Sequence, residues 1–469
     1  MVASEAAPFA KTGGLADVVG SLPAALAALG HQVAVVLPRY ASIDTKPARR
    51  VYENLDVWFG PDRYSSTLYA IGNTVPFYFV DCPPLYDRKG LYGDADGDYP
   101  DNHIRFAVLA RAALTICRDL FRPDILHCHD WQAGLVPTYL HSTFALDPTF
   151  MAIRTLFTIH NIGYQGLFPE EVLPEIGLDA TVFTPAGLEY WGKVSFLKGG
   201  LVYSDHLNTV SPTYAAEIQT PEYGLGMDGI LRDRSDCLTG ILNGADYSQW
   251  NPETDPYIPA NYSRDDLSGK QVCKQDLITE FGLPPDARDQ PLAGIVSRFT
   301  SQKGADLIAA IADRLATEDV RVVALGTGDA EYEALFTKMA ADYPSRFAVR
   351  IGFDNALAHR IEAGADMFLM PSHYEPCGLN QIYSLRYGTV PIVRATGGLD
   401  DTINEDTGFK FSDYSGEALL LAIQRAAALW RDRAAWTEMM RRGMQQDYSW
   451  RVSAGEYSAL YRRLAESRG

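Results

Sequence analysis

Short runs of apolar, β-branched residues alternate along the chain with longer segments whose apolar positions recur at helical spacing. In the first half this pattern predicts strands over residues 31–37, 67–71, 75–80, 124–128, 155–159 and 207–210, and a helix over 104–120. In the second half it predicts strands over 293–296, 320–325, 348–351, 367–370 and 390–393, and helices over about 304–316, 330–342, 379–387 and 416–430. Strands alternating with helices indicate an α/β fold with mainly parallel sheets.

The alternation breaks once, between residues 243 and 291, where Pro, Asp, Tyr and Asn are frequent. This break predicts two Rossmann-like domains, residues 1–240 and 241–447. Open parallel sheets bind ligands beyond the carboxyl ends of their strands. Two such sheets facing each other therefore predict a deep cleft between the domains.

Two smaller features complete the predicted fold. Gly72-Asn73 predicts a hairpin, so the first sheet is mixed. An amphipathic helix is predicted over residues 448–469, and its apolar positions are Tyr457, Leu460, Tyr461 and Leu464.

The charge of the chain limits its partners. Its 469 residues carry a formal net charge of −18, which argues against nucleic acid or an anionic membrane as partner. No apolar run reaches the roughly 18 residues of a transmembrane helix, and no basic, apolar leader opens the chain. We expect a cytoplasmic protein, or a stromal one if the chain comes from a plant plastid. Because the first strand would be only about three residues long, we also expect a few native N-terminal residues to be absent.

The six cysteines predict neither disulfides nor a metal site. They are widely spaced and none forms a C-x-x-C pair, which indicates reduced thiols. His127-Cys128-His129 could place two imidazoles on one face of a strand end, but no further ligands follow at metal-site spacing. We therefore expect no bound metal.

Three motifs in the first half follow predicted strands. Lys11-Thr12-Gly13-Gly14-Leu15-Ala16-Asp17 would bring backbone N–H groups and a helix N-terminus to an anion, although a glycine turn with a solvated lysine fits the letters equally well. Asp130, after the strand over 124–128, is either a group facing the cleft or a helix N-cap. His160, after the strand over 155–159, is either a satisfied structural residue or a catalytic one.

Two motifs in the second half suit a diphosphate and a sugar. Arg298 and Lys303 flank a polar turn that enters a helix, and cations in so acidic a chain favour a diphosphate over plain surface charge. Gly326-Thr327-Gly328-Asp329 adds a glycine turn near the same edge. Glu375 ends a strand where it could accept hydrogen bonds from sugar hydroxyls, or it is only stabilised by a helix dipole.

These segments together resemble the glycogen and starch synthase family. The resemblance is carried by KTGGLADV from Lys11, HDWQAG from His129, TIHNIGYQG from Thr158, SRFTSQKG from Ser297, EPCGLNQ from Glu375 and TGGL from Thr396, in register over essentially the whole chain. It implies the two-domain GT-B architecture, with an acceptor-side first domain, a nucleotide-sugar-binding second domain and a C-terminal helix that crosses back to the first.

The resemblance also implies an activity and its residues. The activity is retaining transfer of glucose from ADP-glucose, or less often UDP-glucose, to the non-reducing end of an α-1,4-glucan, without a metal or other cofactor. The implied catalytic residues are His160, Arg298, Lys303 and Glu375. The implied donor-binding residues are Lys11, Gly13, Gly14, Asp17, Asp130, Asn161, Asn243, Cys377, Gly378, Leu379, Thr396 and Gly397. Those expected on the acceptor side are Glu5, Asp17 and Tyr164.

Two other functions fit parts of the pattern. A different GT-B transferase could pass sugar to a small acceptor. A non-catalytic glucan-binding homologue could retain the fold alone. Such a homologue would be expected to lose the charged site residues, which this chain keeps.

Overall fold

A computed structural model describes residues 1–466 and divides the chain into two compact units. The first unit contains residues 1–210, 215–244 and 450–466, and the second contains residues 211–214 and 245–449. The chain enters the second unit after Gly244 and returns to the first at Trp450. The last residues of the predicted C-terminal helix, 467–469, lie outside the described part.

Within the described residues the first unit has thirteen strands, of which eight belong to a mixed sheet and five form two smaller sheets, β10-β11-β9 and β5-β6. Its strands are β1 Val35–Pro38, β2 Arg49–Phe59, β3 Asp62–Ile71, β4 Phe77–Asp81, β5 Gly93–Asp94, β6 Gly97–Asp98, β7 Ile125–His129, β8 Arg154–Ile159, β9 Leu167–Pro169, β10 Glu189–Tyr190, β11 Lys193–Ser195, β12 His206–Thr209 and β13 Leu238–Gly240. Its helices are α1 Gly14–Ala28, α2 Pro83–Tyr86, α3 Asn102–Asp119, α4 Asp130–Ala133, α5 Leu135–His141, α6 Phe196–Tyr203 and α8 Asp228–Asp233, while α7 Pro212–Glu217 straddles the boundary.

The chain start joins the two halves of this sheet. One half has the order β1-β4-β3-β2 and the other the order β13-β12-β8-β7. Val2 forms parallel bridges to Val36 and to Cys128, so it lies between β1 and β7. Its N–H donates to the His127 carbonyl at 2.8 Å, and its carbonyl accepts from the His129 N–H at 3.0 Å. The segments after Val2 and after β7 therefore leave the sheet side by side.

The second unit has a fully parallel six-stranded sheet. Its strands are β14 Leu292–Val296, β15 Arg321–Gly326, β16 Phe347–Ile351, β17 Met367–Met370, β18 Val390–Arg394 and β19 Phe409–Phe411. Its helices are α9 Ser268–Glu280, α10 Ala305–Leu315, α11 Ala330–Asp342, α12 Asn355–Gly364, α13 Asn380–Arg386, α14 Gly397–Thr402, α15 Gly416–Arg431 and α16 Arg433–Met444. The strand order is β16-β15-β14-β17-β18-β19, which reverses between β14 and β17. Doubly wound sheets bind ligands at such a reversal.

Buried apolar side chains pack the helices against the strands within each unit. In the second unit, β14, β15, β17 and β18 are buried along almost their whole length, as strands covered on both faces must be. In the first unit the C-terminal helix α17, Trp450–Glu466, packs on α1. Its predicted apolar residues Tyr457, Leu460, Tyr461 and Leu464 are all buried.

The sequence predicted most elements of both sheets but missed some. The hairpin at Gly72-Asn73 is confirmed, because β3 and β4 pair antiparallel. The strand predicted over 31–37 begins only at Val35. Strand β2 was missed, since its polar and exposed residues lack a continuous apolar run. The supposedly irregular stretch 243–291 contains helix α9, whose buried lysines hide its apolar face in the sequence.

No helix within residues 1–466 combines the length and hydropathy needed to cross a membrane.

Candidate active site

Two charged residues meet at the strand reversal of the second unit. Lys303 follows β14 and Glu375 follows β17, which are neighbours in the sheet. The Lys303 Nζ lies 2.5 Å from the Glu375 Oε2, and this carboxylate also accepts from the Ser372 hydroxyl at 3.1 Å. Only 7% of the Glu375 side chain is exposed, against 21% for Lys303. Glu375 is thus held by a specific cation, and not merely by the dipole of α13, which begins five residues later.

Short polar links hold the surrounding loops together. The Asn380 side-chain amide donates to the Val296 carbonyl at 2.7 Å, and the His373 N–H donates to the Gln302 carbonyl at 2.8 Å. Gly397 has φ +46°, and a Cβ there would lie 1.9 Å from the Glu375 carbonyl oxygen. Only glycine lets the loop after β18 approach Glu375 this closely.

The other predicted residues of this unit lie around the same edge. Arg298 is exposed and its guanidinium donates to the Gln302 side chain at 3.2 Å. Gly378 and Leu379 directly precede α13, while Cys377 and Thr396 are buried. The turn Gly326–Asp329 lies beside the segment that carries Arg298, because the Phe299 N–H donates to the Thr327 carbonyl at 2.9 Å.

A buried carboxylate organises the glycine loop of the first unit. Glu5 is 3% exposed and accepts four hydrogen bonds. They come from the Thr12 N–H and hydroxyl at 2.5 Å each, the Gly13 N–H at 3.3 Å and the Tyr92 hydroxyl at 2.5 Å. Beyond this loop, Lys11 pairs with Asp17 at 2.7 Å, so Lys11 is not a merely solvated lysine. Gly14 begins α1.

The Asp130 carboxylate binds the backbone of the turn that carries His160. It accepts from the His160 N–H at 2.7 Å and also from the Asn161 N–H. Asp130 itself has φ +56° and is the first residue of α4, so the N-cap interpretation is wrong: His129 occupies the cap position. Burial, with the charge of Glu5, raises the pKa of Asp130 to about 7, against the two N–H bonds that lower it.

His160 belongs to a buried set of three imidazoles. The His160 Nε2 lies 3.0 Å from the His129 Nδ1, and the rings of His129 and His127 are 4.0 Å apart. Burial lowers the pKa of His160 to about 3 and lowers those of His127 and His129 well below their usual value. The imidazoles are therefore neutral at physiological pH, and His160 can exchange hydrogen bonds without carrying charge.

The C-terminal helix supports this set from behind. The Tyr461 hydroxyl lies 2.7 Å from the His127 Nδ1, and the Thr158 hydroxyl lies 2.6 Å from the His127 Nε2. The Tyr457 hydroxyl donates to the Asn208 side chain at 2.9 Å, which also accepts from Thr158. The helix thus reaches the imidazoles through polar contacts as well as through apolar packing.

Two further predicted residues are Tyr164, whose N–H donates to the Asn161 carbonyl at 3.2 Å, and Asn243. Tyr164 is 53% exposed. Asn243 is buried just before the junction, and its side-chain oxygen has no hydrogen-bond partner among residues 1–466.

Two residues that contact the predicted site were missed. Tyr92 binds Glu5 from a loop that is 87 residues away in sequence. His129 contacts His160 across neighbouring strands; the sequence included His129 in a motif at a strand end but did not predict this contact. Neither contact has a local sequence signal, because each depends on which strands pair.

The chain is similar to known families of glycosyl transferases along most of its length. Residues 1–233 match the family described as starch synthase catalytic domain, and residues 284–442 match the group 1 glycosyl transferases. The chain is 53% identical to the glycogen synthase of Koribacter versatilis, covering 99% of this chain and 98% of that protein. It is 49% identical to the glycogen synthase of Myxococcus xanthus, with coverage of 99% and 98%.

The chain belongs to the glycogen and starch synthase family. It is a glycosyltransferase with the GT-B fold. The catalytic domain of starch synthase IV from Arabidopsis thaliana, solved with ADP and acarbose, superposes with a TM-score of 0.90 at 33% identity, covering 99% of this chain and 98% of that one. Sucrose-phosphate synthase from Thermosynechococcus elongatus shares the fold, with a TM-score of 0.63 at 19% identity over 99% and 98% of the two chains.

The Glu5 contacts predict that Glu5→Gln loosens the glycine loop of this glycosyltransferase. An amide is uncharged and only its oxygen accepts, so the two N–H bonds become weaker neutral ones, and the Thr12 and Tyr92 hydroxyls must turn to accept from the new NH₂ group. We expect the free energy of unfolding to fall by about 1–3 kcal/mol and tryptic cleavage after Lys11 to accelerate. Mass spectrometry of a timed digest measures the cleavage. Glu53→Gln, at an exposed ion pair with Arg50, is the control and should not change it; equal cleavage of all three proteins would contradict the role of Glu5.

The buried imidazoles predict a pH-dependent stability. Because their pKa values are lower folded than unfolded, they stabilise the fold above the unfolded value near 6.5, and this contribution is lost as the pH falls below it. Asp130, whose pKa is raised, acts in the opposite direction between about pH 4 and 7. Comparing a variant with the wild type cancels that term.

We therefore expect His127→Gln to flatten the fall in unfolding free energy between pH 6.5 and 5, by up to about 1.4 kcal/mol per pH unit. Urea unfolding at several pH values measures the slope. His141→Gln, at an exposed histidine, should keep the wild-type slope. A slope for His127→Gln equal to that of the wild type would show that His127 is not held neutral.

Proposed function

We propose that this chain transfers glucose from ADP-glucose to the non-reducing end of an α-1,4-glucan and retains the anomeric configuration. The observation that carries the proposal is the Lys303–Glu375 pair at the strand reversal of the second unit. A cation suited to a diphosphate beside a carboxylate suited to sugar hydroxyls, at the edge where such sheets bind ligands, supports this donor. The names of the relatives, and the ADP and acarbose bound to starch synthase IV, agree with this donor and acceptor.

In the proposed reaction the second unit holds the leaving group. A nucleoside diphosphate leaves easily but gains negative charge as the bond to the anomeric carbon breaks. Arg298 and Lys303 would take up this charge, with the backbone N–H groups of Gly378 and Leu379 before α13. Lys303 is partly exposed, so its ammonium group would be able to turn from Glu375 to a phosphate oxygen.

Glu375 would then accept hydrogen bonds from the hydroxyls of the donor glucose. Once Lys303 turns to the phosphate, the carboxylate keeps the Ser372 hydroxyl and gains acceptor capacity for the sugar. The loop of Thr396 and Gly397, which approaches the Glu375 backbone, would form the floor of this sugar site.

In the first unit His160 would bind the transferred glucose as a neutral imidazole. With a pKa of about 3, His160 is almost entirely unprotonated near neutral pH and has no imidazolium proton to give to the leaving group. Its role would be to position a hydroxyl. Asp130 would serve by fixing the backbone on which His160 is carried. Lys11 and Asp17, which form an ion pair, would separate to meet the donor and the acceptor respectively.

The chemical step we propose is a same-face attack. The acceptor hydroxyl bonds to the anomeric carbon as the carbon–oxygen bond to the diphosphate breaks, and the hydroxyl proton passes to a phosphate oxygen of the donor. Retention through a covalent enzyme intermediate would instead need a carboxylate pair about 5 Å apart. A trapped glucosyl–enzyme adduct would contradict the same-face step.

Transfer of labelled glucose to glycogen tests the proposed function. We expect incorporation from ADP-glucose, measured beside UDP-glucose, and we expect it to persist in EDTA because arginine and lysine neutralise the diphosphate. Release of a short labelled product with no labelled glycogen would indicate a small acceptor. Absence of transfer from either donor would support a non-catalytic glucan-binding protein.

The cation assignment predicts that Arg298→Ala and Lys303→Ala each lower kcat more than they raise the KM for ADP-glucose. Preorganised groups at a developing charge are worth about 3–4 kcal/mol, so kcat should fall about 10²- to 10³-fold. Steady-state kinetics with varied donor measures both constants. Lys338→Ala, at an exposed lysine of α11, should match the wild type. Losses confined to KM would contradict charge stabilisation in the transition state.

A further inference from the structure

Trp191 occupies a position that neither its backbone nor its side chain favours. It forms, with Gly192, the two-residue connection between β10 and β11, and both residues have positive φ, +52° and +76°. Such turns prefer Asn-Gly, because a bulky residue is strained in the left-handed region. The Trp191 side chain is also 84% exposed. Folding alone therefore does not account for a tryptophan at this tip.

Leu225 repeats this combination beside the same hairpin. It has φ +46° and is 46% exposed. Its carbonyl accepts from the Tyr190 hydroxyl at 2.6 Å and from the Gln165 side-chain amide at 3.1 Å. Its loop is thus tied both to the base of the hairpin and to the segment that carries Tyr164. Backbone strain that the surrounding contacts enforce is typical of functional sites.

These hydrogen bonds and the pairing of β9 with β11 join the segments that carry four exposed apolar residues of the first unit. We call these residues, Tyr164, Leu167, Trp191 and Leu225, the Trp191 surface. A concavity of about 400 Å³ adjoins the hairpin tip and is lined by residues that include Leu167, Phe168, Glu170, Glu171 and Lys193. Ligand pockets of about 300–1,000 Å³ commonly combine apolar walls with a few polar groups in this way.

The chemistry of the Trp191 surface matches a chain of glucose units. Each sugar ring has an apolar C–H face that can lie on an aromatic ring, and hydroxyls at its edge that can bond to carboxylates and ammonium groups. A glucan is uncharged, so the net charge of −18 does not repel it. A second copy of the chain fits less well, because a stable protein interface needs about 20–30 residues a side, whereas here four apolar side chains lie among charged ones.

We propose that the Trp191 surface binds a stretch of the acceptor α-glucan. This inference rests on the proposed function, which supplies a polymeric acceptor, and goes beyond it by naming a site for the polymer. Trp191 stacks on a sugar ring at the tip of the hairpin. Tyr164 and Leu225 extend the contact along the chain, and Glu170, Glu171 and Lys193 bond to hydroxyls. The strained turn keeps the indole projecting when no glucan is bound.

The turn itself supplies the decisive variant, Trp191→Asn. Asparagine is the residue that this turn prefers, so the variant removes the indole without weakening the hairpin. Trp191→Phe keeps an aromatic ring. Trp58→Thr is the matched control, because Trp58 is 53% exposed on β2 of the same unit and threonine suits a strand.

Two measurements on the full chain test the proposal. Native electrophoresis in gels containing glycogen, without donor, measures binding, and steady-state kinetics measure the KM for glycogen and for maltotriose. We expect Trp191→Asn to lose most of its retardation and to raise the KM for glycogen about tenfold, which corresponds to about 1.4 kcal/mol. Its kcat and its KM for ADP-glucose should stay unchanged, and Trp191→Phe and Trp58→Thr should resemble the wild type.

The outcomes separate this inference from the proposed function. Retardation and a KM for glycogen equal to the wild type in Trp191→Asn would overturn the glucan site while leaving transfer intact. Retardation that depends on Trp191 in a chain that transfers no glucose would support the site and overturn the proposed function. Sedimentation showing a dimer that Trp191→Asn dissociates, with unchanged retardation, would assign the surface to a second copy and overturn the glucan site.

Discussion

Parallel strand pairing brings the candidate site residues of each unit together. Parallel strands place every strand-to-helix loop at one edge of the sheet, and a reversal in strand order parts two of these loops. In the second unit the reversal lies between β14 and β17, and the Lys303–Glu375 pair spans it. In the first unit Val2 and β7 lead into the loops of Glu5 and Asp130 in the same manner. Each sheet thereby gathers residues that are far apart in sequence.

The charged side chains at these sheet edges form ion pairs or accept hydrogen bonds from backbone N–H groups. Glu5 accepts from its own glycine loop, Asp130 from the turn of His160, and Glu375 from Lys303. A buried carboxylate without such partners would be costly, and each of these three has them within the protein. The Lys11–Asp17 and Lys303–Glu375 pairs leave their lysines partly exposed, whereas Glu5 and Asp130 are buried.

The motifs could be found from the sequence because glycine turns, cations and strand ends are local features. The mainly parallel strands of the two sheets, the hairpin at Gly72-Asn73 and the buried face of α17 follow from local periodicity in the same way. Strand β2 did not, because its exposed residues form a strand only by pairing with β3. Helix α9 did not, because Lys270 and Lys274 are buried there by bonds to distant carbonyls and to Asp366.

The α/β class, the two Rossmann-like halves and the family can thus be deduced from the chain alone, and so can the candidate site residues, since each depends on short runs of neighbouring residues. The contacts between distant residues become visible only in the folded chain: Tyr92 on Glu5, His129 on His160, Lys303 on Glu375, and the Leu225 loop on the hairpin of Trp191. Hydrogen bonds and ion pairs act over about 3–4 Å, and which side chains come that close depends on strand order, register and loop closure, which no local pattern encodes.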